Sequence, residues 1–201
     1  MRYLLVAMLC VALAACYGGG RRGGADALAV HDFGPPAERL ADGGRFAGDA
    51  LEVRAPIWFD SLGIGYRLAY GDPSRLRDYT RARWAGPPAQ MIQQRLMQKL
   101  PLVPHGQART RCVVRIEIDE FSQVFDAPDT SRGVLRGRIA LLDRGRRQIA
   151  GRDLRIEKPA PTPDSTGAVA ALTATVDQMA VELVGWGAEL HAGGSLAGCA
   201  G

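Results

Sequence analysis

The clearest pattern in the chain is the alternation of apolar and polar side chains over residues 111–120. Every second position there is apolar, at Cys112, Val114, Ile116 and Ile118. A period of two is typical of a strand with one buried face. Residues 134–142 and 148–157 continue in the same way. Turns are expected between these strands, at 129–133 and 143–146, so the sequence predicts a three-stranded meander.

Two segments have the spacing of amphipathic helices instead. The first spans residues 88–100, between prolines, with its apolar face at Ile92, Leu96 and Leu100. The second begins at an N-cap, either Asp164 or Ser165. Its apolar residues follow at intervals of three and four, at Val169, Leu172, Val176, Met179, Leu183, Trp186 and Leu190. We favour a helix lying on a sheet over a coiled-coil seam as the reason for this stripe.

Shorter strand signals precede the first helix. Residues 27–33, 51–59 and 64–70 are strand candidates, and Pro56 assigns the second of them to an edge or a bulge. Residues 76–84 are ambiguous and include a further strand candidate. The predicted fold class is α+β: a two-layer sandwich of a mixed or antiparallel β-sheet with two helices packed on one face.

The N-terminus has the pattern of an export signal. Met1 and Arg2 supply a short positive region, and residues 3–15 are uninterrupted apolar residues. Thirteen helical residues span about 20 Å, which is too short for the hydrocarbon core of a bilayer. Residues 1–15 are therefore predicted to be a signal peptide.

The residues that follow resemble the bacterial lipobox. Small residues, Ala14 and Ala15, precede Cys16, whose thiol would take a diacylglyceryl group and whose amine would be acylated after cleavage. Acyl chains such as palmitate on one cysteine give durable anchoring. An ordinary signal peptide with a coincidental cysteine and an uncleaved anchor are the alternatives. By the known sorting rule, Tyr17 rather than Asp after the cysteine favours the outer membrane.

The domain organisation follows from these assignments. Residues 16–26 contain the lipidated cysteine and a glycine-rich flexible tether. Residues 27–192 are predicted to form a single α+β domain, and residues 193–201 a loose C-terminal tail. Cys10 would leave with the signal peptide.

Composition and charge exclude several classes of protein. Apolar residues make up 47% and charged residues 23% of the 201 residues, which is close to the average for globular domains and excludes collagen-like, mucin-like and strongly disordered chains. A formal charge of +4 does not predict nucleic-acid binding.

No catalytic or metal-binding motif is found in the sequence. Its histidines, His31, His105 and His191, are scattered and lack ligand spacing with one another or with cysteine. Phosphate-binding loops, nucleophile elbows and metalloprotease motifs are absent. We expect a protein that is not an enzyme and that needs no cofactor or metal.

Two cysteines remain in the processed chain. Cys112 opens the best-defined strand and Cys199 lies in the tail. In an oxidising compartment two thiols are commonly joined, so a Cys112–Cys199 disulfide is expected slightly ahead of a buried free Cys112 and a frayed Cys199.

Several segments, taken in order, resemble the ABC-type transport auxiliary lipoprotein family, which includes the paraquat-inducible Pqi lipoprotein. The lipobox is followed by an opening strand and Gly-Pro turn, a Tyr…Trp-Ala-x-Pro-Pro-x-x-Met helix entry, a Phe-x-Gln-x-Phe strand and a closing helix. These lie at residues 29–36, 79–91, 121–125 and 164–172 with Trp186.

The resemblance implies a function that the residues alone do not. It implies a non-catalytic outer-membrane component that docks a periplasmic MCE-domain protein and works with an ABC transporter to move phospholipids or other hydrophobic molecules between the two membranes. A homo-oligomeric ring is a further expectation. Docking candidates are Phe121, Gln123, Phe125 and Trp58, with burial in the core as the alternative for each. The alternative function is that of a scaffold lipoprotein in lipopolysaccharide or outer-membrane protein assembly.

Overall fold

The computed structural model describes residues 27–35, 38–40, 43–106 and 110–199. The predicted signal peptide, Cys16 and the tether lie outside these residues. The strands are β1 Ala29–His31, β2 Ala50–Arg54, β3 Gly63–Leu68, β4 Asp72–Trp84, β5 Val103–Pro104, β6 Val113–Ala127, β7 Thr130–Leu142 and β8 Gln148–Pro159. The helices are α1 Pro88–Lys99 and α2 Ser165–Ala192, and short 3-10 helices lie at Gly43–Phe46, Ile57–Asp60 and Ser195–Cys199.

The sheet is built around the long strand β6. On one side β6 pairs antiparallel with β7, which pairs antiparallel with β8, so the predicted meander is confirmed. Two strands share the other side of β6. The parallel strand β2 pairs with its first half, and the parallel strand β3 pairs with its second half. Beyond β3 lie β4 and then β1, while β5 extends the sheet beyond β2.

A β-bulge at Asp119 changes which positions of β6 face the core. Ile118 pairs with Gly137 and Glu120 pairs with Arg136, so Asp119 is the extra residue. Before the bulge the core positions are even-numbered, and after it Phe121 is buried in the same core. Strict alternation through 119 and 120 is therefore wrong.

Both helices pack against the sheet and against each other. Helix α1 contacts β2, while α2 contacts β6, β7 and β8. Every residue of the predicted α2 stripe except the partly buried Val169 is buried. This two-layer arrangement confirms the α+β sandwich. By length and composition α2 could cross a membrane, but its buried stripe identifies it as a core helix of this fold.

The N-cap of α2 is Asp164. Its carboxylate accepts a hydrogen bond of 2.8 Å from the backbone N–H of Gly167. That bond, with a second from Thr162 Oγ1, lowers the pKa of Asp164 below its usual value. The helix therefore starts with one of its free N–H groups satisfied.

A buried ion-pair cluster joins the two helices. The Arg95 guanidinium of α1 donates to both carboxylate oxygens of Asp177 in α2, at 2.8 and 2.9 Å. Lys99 Nζ lies 3.1 Å from the same carboxylate. Arg95 also donates to the Gly34 carbonyl at 2.9 Å. These contacts fix α1, α2 and the segment after β1 to one another.

The bounds of one expected strand and of one expected turn also differ in the structure. The strand expected over 51–59 ends at Arg54, because Pro56 lacks a backbone N–H and a 3-10 helix follows it. The turn expected at 129–133 is also shorter, because Thr130 already pairs with Ala127. Gly133 is not a turn residue. It lies under α2, where a Cβ would be 2.8 Å from the Ala171 carbonyl carbon.

Candidate functional site

Three of the predicted docking residues lie inside the protein. Phe121, Gln123 and Phe125 are 3%, 0% and 6% exposed. The Phe121 ring packs against Phe33 and Trp84, with ring centroids 6.1 and 6.0 Å away. These side chains are therefore inaccessible to a partner in this structure.

Gln123 is held by a buried hydrogen-bond network. Tyr79 Oη donates to Gln123 Oε1 at 2.6 Å, and Gln123 Nε2 donates to Ser131 Oγ at 2.8 Å. The ring of Tyr66 lies 4.8 Å from that of Tyr79 and 5.9 Å from that of Phe125. Burial, followed by the nearby Asp164 carboxylate, raises the pKa of Tyr79, so its hydroxyl remains a donor. The network satisfies an amide that would be costly to bury alone.

Sequence reasoning found only part of this network. The Phe-x-Gln-x-Phe pattern identifies Gln123, but Tyr79, Ser131 and Tyr66 come from three other strands. The polar side chain of Gln123, between two phenylalanines of one strand, was the signal in the sequence for a buried hydrogen-bond partner.

Trp58, unlike the other three predicted docking residues, is exposed to solvent. It lies on the 3-10 helix Ile57–Asp60, which has no buried residue, and it is 67% exposed. Ile57 beside it is 81% exposed. Of the four predicted docking residues, Trp58 is the accessible one.

The two remaining cysteines are joined in the structure. Cys112 and Cys199 form a disulfide with their Cα atoms 5.4 Å apart and a sequence separation of 87. The bond attaches the C-terminal 3-10 helix to the start of β6. Residues 193–199 are therefore fixed to the body, and Cys199 is buried.

A polar cleft of about 250 Å³ adjoins this disulfide. Arg45, Asp49, Arg111 and His191 line it. Asp49 is buried, and its Oδ1 has no hydrogen-bond partner among the described residues, with Arg111 Nε 3.9 Å away. Burial raises the pKa of Asp49, against the attraction of Arg111 and a hydrogen bond from the Cys112 N–H.

The face of the sheet opposite the helices carries interleaved arginines and carboxylates. Glu52 accepts hydrogen bonds from Arg54, Arg115 and Arg146. Burial raises the pKa of Glu52, but the hydrogen bonds from Arg115 and Arg54 prevail and lower it overall. A second cluster forms around Glu157, with Arg132, Arg136 and Arg155. Such paired charges are typical of a solvated sheet face.

Metal-ligating side chains do not cluster among the described residues. Over residues 27–35, 38–40, 43–106 and 110–199, no group of three or more His, Cys, Asp or Glu side chains could hold a metal ion. His105 lines a cleft of about 460 Å³ together with Arg111, Arg144 and Arg146. The one acid lining that cleft, Asp143, is held by Arg147 at 3.0 Å.

The fold is similar to two solved structures. A Xanthomonas campestris protein described under DUF330 matches with a TM-score of 0.65 and 20% identity, over 78% of this chain and 93% of that one. A second, described as an uncharacterized protein, matches with a TM-score of 0.61 and 13% identity, over 79% and 97%. At these identities the likeness shows the fold. No curated protein matches the sequence.

One family model covers most of the folded body. The model for the ABC-type transport auxiliary lipoprotein component matches residues 49–184, from just before β2 to the last third of α2. That range is more than half of the 201 residues. The family name describes a membrane-associated envelope lipoprotein that assists an ABC transport system. The chain belongs to the ABC-type transport auxiliary lipoprotein component family.

Proposed function

We propose that this protein is an outer-membrane lipoprotein facing the periplasm, and a non-catalytic component of an ABC transport system of the MCE type. Such a system moves phospholipids or other hydrophobic molecules between the inner and outer membranes. The observation that carries the proposal is the family match over residues 49–184, with a lipobox sequence ending at Cys16 upstream of it.

The geometry supports a binding role rather than a reaction. Over the described residues, polar side chains such as Tyr79, Gln123 and Ser131 and the arginine–carboxylate pairs hold strands of the fold together. A folded body attached by a short segment to a lipidated cysteine is suited to holding a periplasmic partner close to the membrane.

The anchor is tested by fractionation of the envelope. We expect the full chain in the outer-membrane fraction and Cys16→Ala in the soluble periplasmic fraction, because the acyl chains supply the attachment. Cys10→Ala is the matched control, since it removes a cysteine of the signal segment that is not in the lipobox and should leave the fractionation unchanged. Unchanged fractionation of Cys16→Ala would contradict the anchor.

The partner is tested by co-purification from detergent-solubilised envelopes. We expect the full chain to retain a periplasmic MCE-domain protein and subunits of an ABC transporter. Co-purification with an outer-membrane β-barrel or with lipopolysaccharide-assembly proteins, and without an MCE-domain protein, would instead favour the scaffold function.

A further inference from the structure

Exposed apolar side chains concentrate in one region of the fold. Among the described residues, the large apolar side chains with substantial exposure are Leu28, Val30, Ile57, Trp58, Tyr70, Leu76 and Val181. All but Tyr70 and Val181 lie around β1 and the start of β3. We call these five residues, Leu28, Val30, Ile57, Trp58 and Leu76, the apolar patch.

Strand register places the patch residues together. Val30 in β1 pairs with Arg83 in β4, and Arg83 pairs with Gly63 in β3, so these three positions share one face. That face points away from the helices, because the neighbouring positions Ala82 and Trp84 are buried in the core. At Val30 the patch therefore opens to solvent on the far side of the sheet from the helices, while the 3-10 helix that carries Ile57 and Trp58 contacts α1.

Two glycines leave a depression in the surface beside the patch. Gly63 and Gly65 line a shallow cleft with Trp58 and Leu76. Leu76 Cδ1 lies 3.1 Å from the position that a Cβ on Gly65 would take. Because β3 has no side chain at either glycine, Trp58 and Ile57 stand out from the surface on their 3-10 helix. Two protruding large apolar side chains are suited to entering a soft apolar layer.

The length of the upstream chain indicates what the patch meets. Ala27 is eleven residues after Cys16. A glycine-rich segment of that length has a typical end-to-end distance of about 17–20 Å and cannot exceed about 40 Å. Lipidation of Cys16 thus keeps the patch, which begins one residue later at Leu28, next to the bilayer at high effective concentration.

The tether itself is a poor cover for the patch. Between Cys16 and Ala27 it contains mainly glycine and arginine, with Tyr17 as its one large apolar side chain. Arg83 borders the patch, in register between Val30 and Gly63, and a guanidinium beside exposed apolar side chains suits the anionic phosphates of a lipid surface.

We propose that the apolar patch rests on the bilayer that holds the lipid anchor, with Ile57 and Trp58 in its headgroup region. This inference rests on the proposed function, since it requires the lipidated Cys16. The contact places β1, the strand nearest the lipid anchor along the chain, at the membrane, and β8 is at the opposite edge of the sheet from β1.

Tryptophan fluorescence tests the contact in the full lipidated chain. Trp84 and Trp186 are buried, at 1% and 4% exposure, so quenchers outside the fold act mainly on Trp58. The protein is reconstituted into vesicles of phosphatidylethanolamine and phosphatidylglycerol, with and without bromine on the acyl chains. We expect brominated lipid to remove about a third of the emission, the share of one tryptophan in three, and to have no such effect on Trp58→Phe.

A matched control moves the reporter to another exposed apolar position. Val181 on α2 is 50% exposed and lies outside the patch. In the chain with Trp58→Phe and Val181→Trp, we expect no quenching by brominated lipid. Equal quenching of the two reporters would overturn the inference, because the contact would then have no preferred face.

Three further results would also overturn it. Trp58 that stays accessible to aqueous iodide and is not quenched by brominated lipid would show that the patch faces water. Shielding of Trp58 that requires an added MCE-domain protein, or that grows with protein density in the membrane, would assign the patch to a partner or to a second copy. Flotation with vesicles measures the anchor separately: flotation independent of Cys16 contradicts both proposals, whereas Cys16-dependent flotation without quenching contradicts the patch alone.

Discussion

At the scale of single residues, Asp177 shows how a charge can be structural. Burial raises the pKa of its carboxyl, but hydrogen bonds from Arg95 and Lys99 outweigh that effect and hold the pKa below its usual value. Both cations are buried, so they depend on this one carboxylate. The sequence does not reveal that Arg95 pairs with Asp177, because four strands separate α1 from α2 along the chain.

The first prediction concerns Asp177→Asn. Removing the carboxylate leaves two buried cations, and we expect a loss of about 2–3 kcal/mol in the free energy of unfolding, below the usual range for buried pairs because Asp177 is partly exposed. Urea unfolding measures this loss. Asp153→Asn is the control, since its pair with Arg138 is largely exposed, and it should change little.

The pH dependence of that difference has a definite sign. A carboxyl whose pKa is lowered on folding stabilises the protein above its unfolded pKa of about 4, and the stabilisation is lost as pH falls through the folded value. The difference in the free energy of unfolding between the parent and Asp177→Asn should therefore be largest near neutral pH and become smaller in acid. A difference that grows in acid would contradict the assignment.

At the scale of elements, α2 approaches the sheet closely at Gly133. A Cβ there would lie 2.8–2.9 Å from Ala171 atoms and the Leu172 nitrogen, mostly backbone that cannot move cheaply. We expect Gly133→Ala to lower the free energy of unfolding by about 1–3 kcal/mol through overpacking. Within α2, Gly185 has nothing within 4 Å of its Cβ position, and Gly185→Ala should instead raise stability by about 0.5–1 kcal/mol. Equal effects from the two substitutions would show that α2 does not lie on β7 as described.

The disulfide gives a second prediction at this scale. We expect the processed protein to show no reactive thiol at Cys112 or Cys199 under denaturing conditions until it is reduced. Because the closed loop spans 87 residues, the chain-entropy model gives about 4–5 kcal/mol of stabilisation, lost on reduction. Two titratable thiols before reduction would contradict the bond.

Helices and strands with a regular spacing of apolar residues could be predicted from the sequence, whereas pairings between distant segments could not. The α2 stripe and the meander follow from local spacing, so their residues could be assigned without a structure. The bulge at Asp119 and the sharing of one β6 edge by β2 and β3 depend on contacts between distant segments. Long-range contacts also decide which docking candidates are accessible. An aromatic residue in a strand gives the same sequence pattern whether its side chain is buried, like that of Phe121, or exposed.

At the scale of the whole molecule, the two edges of the sheet differ in the side chains that they expose. The β1 edge follows the N-terminal segment and carries the exposed side chains Leu28 and Val30, while β8 lies at the opposite edge. The proposed function assigns the β1 edge to the membrane side. Composition alone suggested an average globular domain and concealed this difference between the edges.

The central claim, that the chain assists lipid movement between membranes, is tested most directly by lipid transfer. The measurement is the rate at which labelled phospholipid passes between inner and outer membranes in cells with the parent chain, with Cys16→Ala, and without the chain. We predict that transfer through the partner system falls to the same low level in both altered cells. Transfer at the parent rate in cells without the chain, with impaired outer-membrane protein or lipopolysaccharide assembly, would contradict the account.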